Sequence, residues 1–164
     1  MRIAAVSATL PNCDDIAYFL ECPFAHVFDG SYRPVPLTVH FISCGAVRNN
    51  NQFLFDKSLN AKVPAILQEY SNNKPAIVFC HSKKETEILA SDLMKNHFYS
   101  TQLSQTDTKS LALVAKEVST LTLKKCLFVG VAFHHAGMEP RDRQLVENAF
   151  ASGVVKCLFA TSTL

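Results

Sequence analysis

Short, almost wholly apolar runs recur along this chain, and segments with helical spacing separate them. A continuous apolar run suits a strand that is buried on both faces, as in a parallel sheet covered by helices. Strands that alternate with helices predict an α/β fold with a three-layer arrangement around a parallel sheet. The predicted strands are residues 3–6, 37–42, 76–80, 131–135 and 154–160.

Helix-start and helix-stop residues predict where the chain leaves the sheet. Asn12 is predicted to cap a helix with Asp14 and Asp15 in its first turn and with Ile16, Phe19 and Leu20 on its inner face. Apolar residues from 59 to 70 recur at helical spacing, and Pro64 is tolerated there if the helix begins near Lys62.

Further helices are predicted in the second half of the chain. Ser82 and Glu85 form the pattern of a capping box for a helix that reaches about Phe98. Pro140 suits the first position of a helix that Gly153 ends. Residues 99–110 are predicted as a polar loop, and residues 111–129 as one helix or as a helix with an extended part.

Residues 21–36 lose all periodicity and contain three prolines and a glycine, so a domain boundary is predicted near Arg33. The formal charge of +2 permits nucleic-acid binding without indicating it. None of the six cysteines forms a CxxC pair, which predicts reduced thiols without disulfides. No stretch approaches the ~20 apolar residues of a membrane-spanning helix, so no membrane association is expected.

Polar clusters follow the predicted strands, where ligands bind in parallel sheets. Hydroxyls, helix-start amides and basic side chains are suited to phosphate. Lys83 and Lys84 are informative, because cations in a first helical turn oppose the helix dipole unless an anion lies nearby. The candidate nucleic-acid-binding residues are Ser82, Lys83, Lys84, His134, His135, Arg141, Thr161, Ser162 and Thr163, and Ser7 and Thr9 form a further cluster.

Simpler interpretations exist for these clusters. Ser82 can be only a helix cap, residues 161–163 only a strand end, and one of the adjacent histidines a packed core residue. Zinc bound by Cys80, His81 and the histidine pair is disfavoured, because the spacing fits no standard site and no metal is expected. A flavodoxin-like or other nucleotide-binding protein is disfavoured too, since no glycine-rich loop follows any predicted strand.

Blocks of sequence, in order, resemble the superfamily-two DExH-box helicases of the Ski-like branch. The blocks are residues 2–12, 76–84, 130–143 and 155–164. Residues 53–60 and 70–75 are most similar to the meiotic crossover DNA helicases, which unwind DNA with a three-prime to five-prime polarity. The run His81-Ser82-Lys83 departs from that subgroup and is closer to the RNA-remodelling helicases of the spliceosome and of translation quality control.

This resemblance implies two RecA-like parts: residues 1–33 as the end of the first motor domain, and residues 34–164 as most of a truncated second one. It implies that Ser7 and Thr9 couple ATP turnover to domain movement, while the other candidate residues grip single-stranded or unwinding nucleic acid, with DNA favoured. The chain would be a fragment of a nuclear helicase. Its ATP and magnesium, and its missing first motor domain, would belong to the parent protein, and the fragment alone would bind no cofactor.

Two alternatives remain open alongside that implication. The parent protein could be an RNA-remodelling DExH helicase. The chain could also be a non-catalytic module that binds nucleic acid or regulates a full helicase.

Overall fold

The computed structural model describes residues 5–8, 10–23, 25–43, 52–96, 99 and 102–162. Contacts within the chain divide it into Met1–Ser43, here called unit 1, and Cys44–Leu164, here called unit 2. This division follows Ser43, whereas the sequence predicts a boundary near Arg33. The assignment of either part to a particular motor domain stays a prediction.

Unit 1 contains helix α1, Cys13–Phe19, and a short 3-10 helix, Gly30–Tyr32. The helix lies where it was predicted, but Asn12 does not cap it. The Asn12 side-chain amide instead lies 3.4 Å from Oδ2 of Asp15. The predicted inner face is also wrong, since Phe19 is 81% exposed.

The strand predicted at residues 37–42 is absent from the structure. The segment is irregular, and its alternating apolar side chains are exposed, with Phe41 at 96%. A strand requires a second strand beside it, and the described part of unit 1 contains none. Of the strand predicted at residues 3–6, only Ala5 and Val6 are described, and they too are irregular and exposed.

Unit 2 is built on a three-stranded parallel sheet of β1, Ala76–Phe79, β2, Val131–His134, and β3, Cys157–Ala160. The strand order is β1-β3-β2, so the last strand along the chain is the central one. Both β2 and β3 are buried throughout, and burial was predicted for the apolar run that contains β3. Two-sided burial is wrong for β1, because Ile77 is 39% and Phe79 67% exposed, although β2 at the other edge is buried.

Six helices accompany this sheet in the described part of unit 2. Helix α3 begins at Val63 and carries Pro64 in its first turn, which confirms the predicted start near Lys62. Helix α7 begins at Pro140, also as predicted. The helices are α2, Gln52–Asn60; α3, Val63–Tyr70; α4, Lys83–Lys95; α5, Gln105–Glu117; α6, Leu121–Leu127; and α7, Pro140–Ala151. None of the described helices is long and apolar enough to cross a bilayer.

The loop predicted at residues 99–110 is wrong for its second half, where α5 begins. Ser104 caps this helix: its Oγ accepts from the Asp107 amide at 3.0 Å, and Asp107 Oδ2 accepts from the Ser104 amide at 3.4 Å. The polar first turn faces water, while Leu111 and Ala115 are buried. Residues 111–129 therefore hold the rest of α5, a short break and α6.

The predicted stop at Gly153 is confirmed by a hydrogen-bonded turn at the end of α7. Gly153 has a φ of 78°, which a residue without a Cβ adopts readily. Its N–H donates to the Phe150 carbonyl at 2.9 Å, and the Val154 N–H donates to the Ala149 carbonyl at 3.2 Å. These two bonds make a Schellman motif, which turns the chain from α7 into β3.

Asp142 is a buried carboxylate, 1% exposed, that joins α7 to the start of α6. Both its oxygens accept hydrogen bonds from the amides and hydroxyls of Ser119 and Thr120, at 2.8 to 3.1 Å. Burial alone would raise the pKa of Asp142, but these hydrogen bonds outweigh it and hold the pKa below its ordinary value. Asp142 thus anchors the two residues that precede α6, where the N-cap residue Thr120 makes no side-chain cap of its own.

Candidate nucleic-acid interface

The loops that follow the three strands begin at the same level of the sheet. Phe79 and His134 both pair with Ala160 of β3. Beyond that pairing, the Cys80 N–H donates to the Ala160 carbonyl at 2.8 Å, and the Thr161 N–H donates to the His134 carbonyl at 3.2 Å. We call residues 81–84, 135–138 and 161–162 the strand-end surface.

The first part of this surface, residues 81–84, is held by Glu85. The Glu85 N–H donates to Ser82 Oγ at 3.2 Å, which is one half of the predicted capping box. The other half is wrong: the Glu85 carboxylate lies near His81 instead, 3.3 Å from its amide N and 2.9 Å from Nδ1. Asn60 donates to the second oxygen of Glu85 at 3.0 Å, so α2 also anchors this loop.

Lys83 and Lys84 occupy the first turn of α4 and are exposed. Neither has an ion-pair partner among the residues that the structure describes. The Lys83 side chain lies against the loop after β2, since a Cβ placed on Gly137 would be 3.3 Å from its Cδ and 3.4 Å from its Nζ. An ammonium group therefore lies beside the exposed backbone of residues 136–137.

Both histidines after β2 are buried, with His134 2% and His135 5% exposed. His134 Nε2 lies 2.8 Å from Glu147 Oε1, and its buried Nδ1 has no hydrogen-bond partner in the described structure. His135 Nε2 lies 3.1 Å from Glu87 Oε1, and its ring stacks on Phe133 with centroids 5.9 Å apart. The adjacent loop backbone, rather than either ring, is what reaches solvent.

The remaining candidate residues are spread more widely. Arg141, in the first turn of α7, is exposed and 3.2 Å from Glu117, an ion pair of the exposed kind that contributes little to stability. Ser162 is exposed and Thr161 half-buried on the strand-end surface. Ser7 lies exposed in unit 1, and Thr9 and Thr163 fall outside the described residues. Their proposed roles stay predictions.

The buried thiols beside the strand-end surface are in their neutral form. Burial raises the pKa of Cys80 to about 12, and burial raises that of Cys157 as well. In the described part of the chain, no group of three or more His, Cys, Asp or Glu residues is placed to hold a metal ion.

Glu87 shapes this surface but was not predicted, and Gly137 was predicted only as part of the block at residues 130–143. The signal for Gly137 was present, because a glycine in the loop two positions after a histidine pair indicates a close approach of another group. Glu87 carried no local signal, since its partner His135 is 48 positions away along the chain.

The chain is similar in sequence to several helicases. No protein-family profile matches it. Over its full length it is 40% identical to the probable ATP-dependent DNA helicase HFM1 of Homo sapiens and 36% identical to the ATP-dependent DNA helicase MER3 of Saccharomyces cerevisiae. Over 99% of its length it is 36% identical to the U5 small nuclear ribonucleoprotein 200 kDa helicase of Caenorhabditis elegans.

The chain spans a small part of each of these relatives: 12% of the human protein, 14% of the yeast protein and 8% of the nematode protein. The similarity nevertheless covers all the blocks on which the predicted resemblance depends. That prediction is confirmed: the chain resembles DExH-box helicases of the Ski-like branch, with the HFM1 and MER3 DNA helicases among its most similar relatives.

Proposed function

We propose that unit 2 binds a single strand of nucleic acid through its sugar-phosphate backbone, at the strand-end surface, as part of an ATP-dependent helicase motor. One observation carries this proposal. Lys83 and Lys84 are exposed cations at the positive end of α4, without an acidic partner among the described residues, and Lys83 lies beside the exposed loop at residues 136–137.

A bound anion would relieve an unfavourable arrangement at this helix end. The first amides of an α-helix have no partner within the helix, and those of Lys83 and Lys84 have no acceptor among the described residues. Two lysines there add positive charge to the positive end of the dipole. A phosphate would accept from both amides and neutralise the ammonium groups.

The topology supports assigning unit 2 to a three-layer RecA-like domain. The connection from β1 to β2 passes over the central β3, and the connection from β2 to β3 returns in the opposite direction. Connections between parallel strands are right-handed in nearly all proteins. Two right-handed connections that run in opposite directions place their helices on opposite faces of the sheet, which makes three layers.

ATP and magnesium enter the proposal only as cofactors of a larger helicase. Human HFM1 is named a probable ATP-dependent DNA helicase, and yeast MER3 is named an ATP-dependent DNA helicase. The described residues do not themselves fit the nucleotide, since none of the three strands leads into a glycine-rich phosphate loop. ATP therefore has no part in the proposed strand binding, and we propose only that Ser7 and Thr9 couple ATP turnover to domain movement.

We propose further that the larger helicase unwinds DNA with a three-prime to five-prime polarity, in meiotic recombination in the nucleus. The similarity to HFM1 and MER3 supports it. The run His81-Ser82-Lys83 and the similarity to the U5 200 kDa helicase support RNA remodelling as the second candidate.

Fluorescence anisotropy with a labelled oligothymidine tests strand binding. We expect Lys83→Ala and Lys84→Ala each to weaken binding at low salt and to reduce the slope of log affinity against log salt by about 0.7, the value for one phosphate contact on a single strand. Lys95→Ala is the matched control, because Lys95 is exposed on the same helix but at its other end, paired with Asp92.

Equal affinities and slopes for all three variants would overturn the proposal. Repeating the titration with oligouridine compares the two candidate substrates. Binding that is tighter to the DNA strand supports the DNA helicase, and tighter binding to the RNA strand supports the remodelling alternative.

A further inference from the structure

Glu87, His135 and Gly137 form a continuous series of contacts behind the strand-end surface. Glu87 Oε1 lies 3.1 Å from His135 Nε2, and the Gly137 N–H donates to His135 Nδ1 at 3.1 Å. The ring between these partners is 5% exposed. A group on helix α4 is thus linked through a buried side chain to the loop that follows β2.

These contacts select one form of the imidazole. An N–H can donate only to a ring nitrogen with a free lone pair, so Nδ1 of His135 is unprotonated. A neutral ring then carries its proton on Nε2, which faces a carboxylate oxygen that can only accept. Both ends of the ring are therefore matched by partners of the correct polarity.

The Lys83 side chain lies close to Gly137. A Cβ on Gly137 would be 3.2 Å from His135 Nδ1 and 3.3 Å from Lys83 Cδ, so the glycine is enclosed between the ring and the lysine stem. The hydrogen bond from the Gly137 N–H to His135 Nδ1 thus anchors the loop residue beside which the Lys83 side chain lies.

We propose that His135 is a positioning residue of the strand-end surface. Its Nδ1 holds the Gly137 amide so that the Lys83 ammonium faces a bound phosphate, and Glu87 keeps the ring in the required tautomer. This inference rests on the proposed strand binding, and it assigns His135 an indirect role, because the ring itself is buried.

Two substitutions separate this role from simple packing of the ring on Phe133. In His135→Asn the new side-chain amide has an oxygen near the place of Nδ1, so it can still accept from Gly137. In His135→Gln the amide reaches toward the place of Nε2, and the Gly137 N–H loses its acceptor. Both variants lose the aromatic stack, so a packing role predicts equal effects.

The first measurement is nitrogen-15 NMR of the full chain. We expect the Nε2–H tautomer of His135 in the wild type, and slow hydrogen exchange of the Gly137 amide in the wild type and in His135→Asn. Fast exchange is expected in His135→Gln. The opposite tautomer, or equal exchange in the two variants, would overturn the positioning role without reference to any ligand.

The second measurement is affinity for labelled oligothymidine. We expect His135→Asn to stay within about twofold of the wild type and His135→Gln to bind about fivefold more weakly, the effect of one lost hydrogen bond. Glu87→Ala removes the acceptor for the Nε2–H of His135 and should weaken binding of the oligothymidine. Glu87→Gln keeps an acceptor there and should restore the affinity. Glu87 is about half exposed, so neither change creates a buried cavity.

The outcomes separate the two proposals. If Lys83→Ala weakens binding while His135→Asn and His135→Gln behave alike, strand binding stands and the positioning role is wrong. If the wild type binds no oligothymidine, the proposed function is wrong, and with it the effect of His135 on binding. The NMR result then still decides whether His135 holds the loop.

Discussion

The hydrogen bonds to Asp142 predict a large and pH-dependent contribution to stability. Replacing Asp142 by alanine leaves the amides and hydroxyls of Ser119 and Thr120 without their acceptor. Hydrogen bonds to a charged group contribute about 1.5–3 kcal/mol, and loss of a buried partner costs about 1–3 kcal/mol. Because Ser119 is exposed, water replaces part of this loss. We expect Asp142→Ala to lower the free energy of unfolding by about 3 kcal/mol.

Urea denaturation followed by far-ultraviolet circular dichroism measures this change. Asp92→Asn is the matched control, because Asp92 is also a helical aspartate but is exposed and paired only with Lys95 three positions later. An exposed pair of this kind contributes at most about 1 kcal/mol. We therefore expect the control to unfold almost as the wild type does.

The pH dependence provides a second check on the same residue. The folded pKa of Asp142 is lowered, so its stabilising effect is complete above the unfolded value of about 3.9 and is lost as the pH falls through the folded pKa. The difference between wild type and Asp142→Ala should therefore narrow below about pH 4. Two results would refute this account of Asp142. One is an equal loss of unfolding free energy in Asp142→Ala and Asp92→Asn at neutral pH. The other is a difference between wild type and Asp142→Ala that stays unchanged in acid.

Two further substitutions test the fold around the site. Gly153→Ala should lower the free energy of unfolding by about 1 kcal/mol, because alanine is strained at a φ of 78°. A clash is not the cause, since the nearest atom, Pro75 Cγ, is 3.9 Å from the added Cβ. Gly30→Ala is the control: Gly30 has a normal φ and open space around it, so the free energy of unfolding should not change in the same urea titration. Phe159→Ala, in the centre of the sheet and fully buried, should cost about 3–5 kcal/mol in thermal or urea unfolding, whereas Phe79→Ala, 67% exposed on the edge strand, should cost far less. Comparable losses for the two phenylalanines would contradict the difference in burial between β3 and β1.

The strands of unit 2 were predictable because local signals agreed there. Residues 157–160 are apolar without interruption, and Gly153 before them ends a helix that Pro140 begins. The strand predicted at 37–42 had equally clear apolar alternation but has no partner strand among the described residues. Local pattern identifies a segment that can form a strand, whereas pairing decides whether it does.

Helix α5 shows the opposite failure. Its first turn is polar because it faces water, and it was therefore predicted as loop, although Ser104 and Asp107 form the capping box that marks a helix start. The apolar positions that reveal the helix, Leu111 and Ala115, come only after that turn. Polarity alone does not separate a solvated helix turn from a loop.

The candidate site was predictable in its location but not in its internal contacts. Clusters after parallel strands were expected to lie near one another, and the residues after β1, β2 and β3 do so. The partnership of Glu87 with His135 spans 48 positions, and that of Asp142 with Ser119 spans 23. Such pairs follow from packing of distant elements, which no local pattern contains.

The central position of β3 has a consequence for the order in which unit 2 folds. Strands β1 and β2 each pair with β3 and not with each other. A ribosome must therefore produce residues 157–160 before any part of this sheet can form, although β1 lies some eighty residues earlier. Sheets that depend on distant pairing fold slowly and expose unpaired strands in the meantime. We expect nascent chains that lack β3 to depend on chaperones, and the sheet to form in one late, cooperative step.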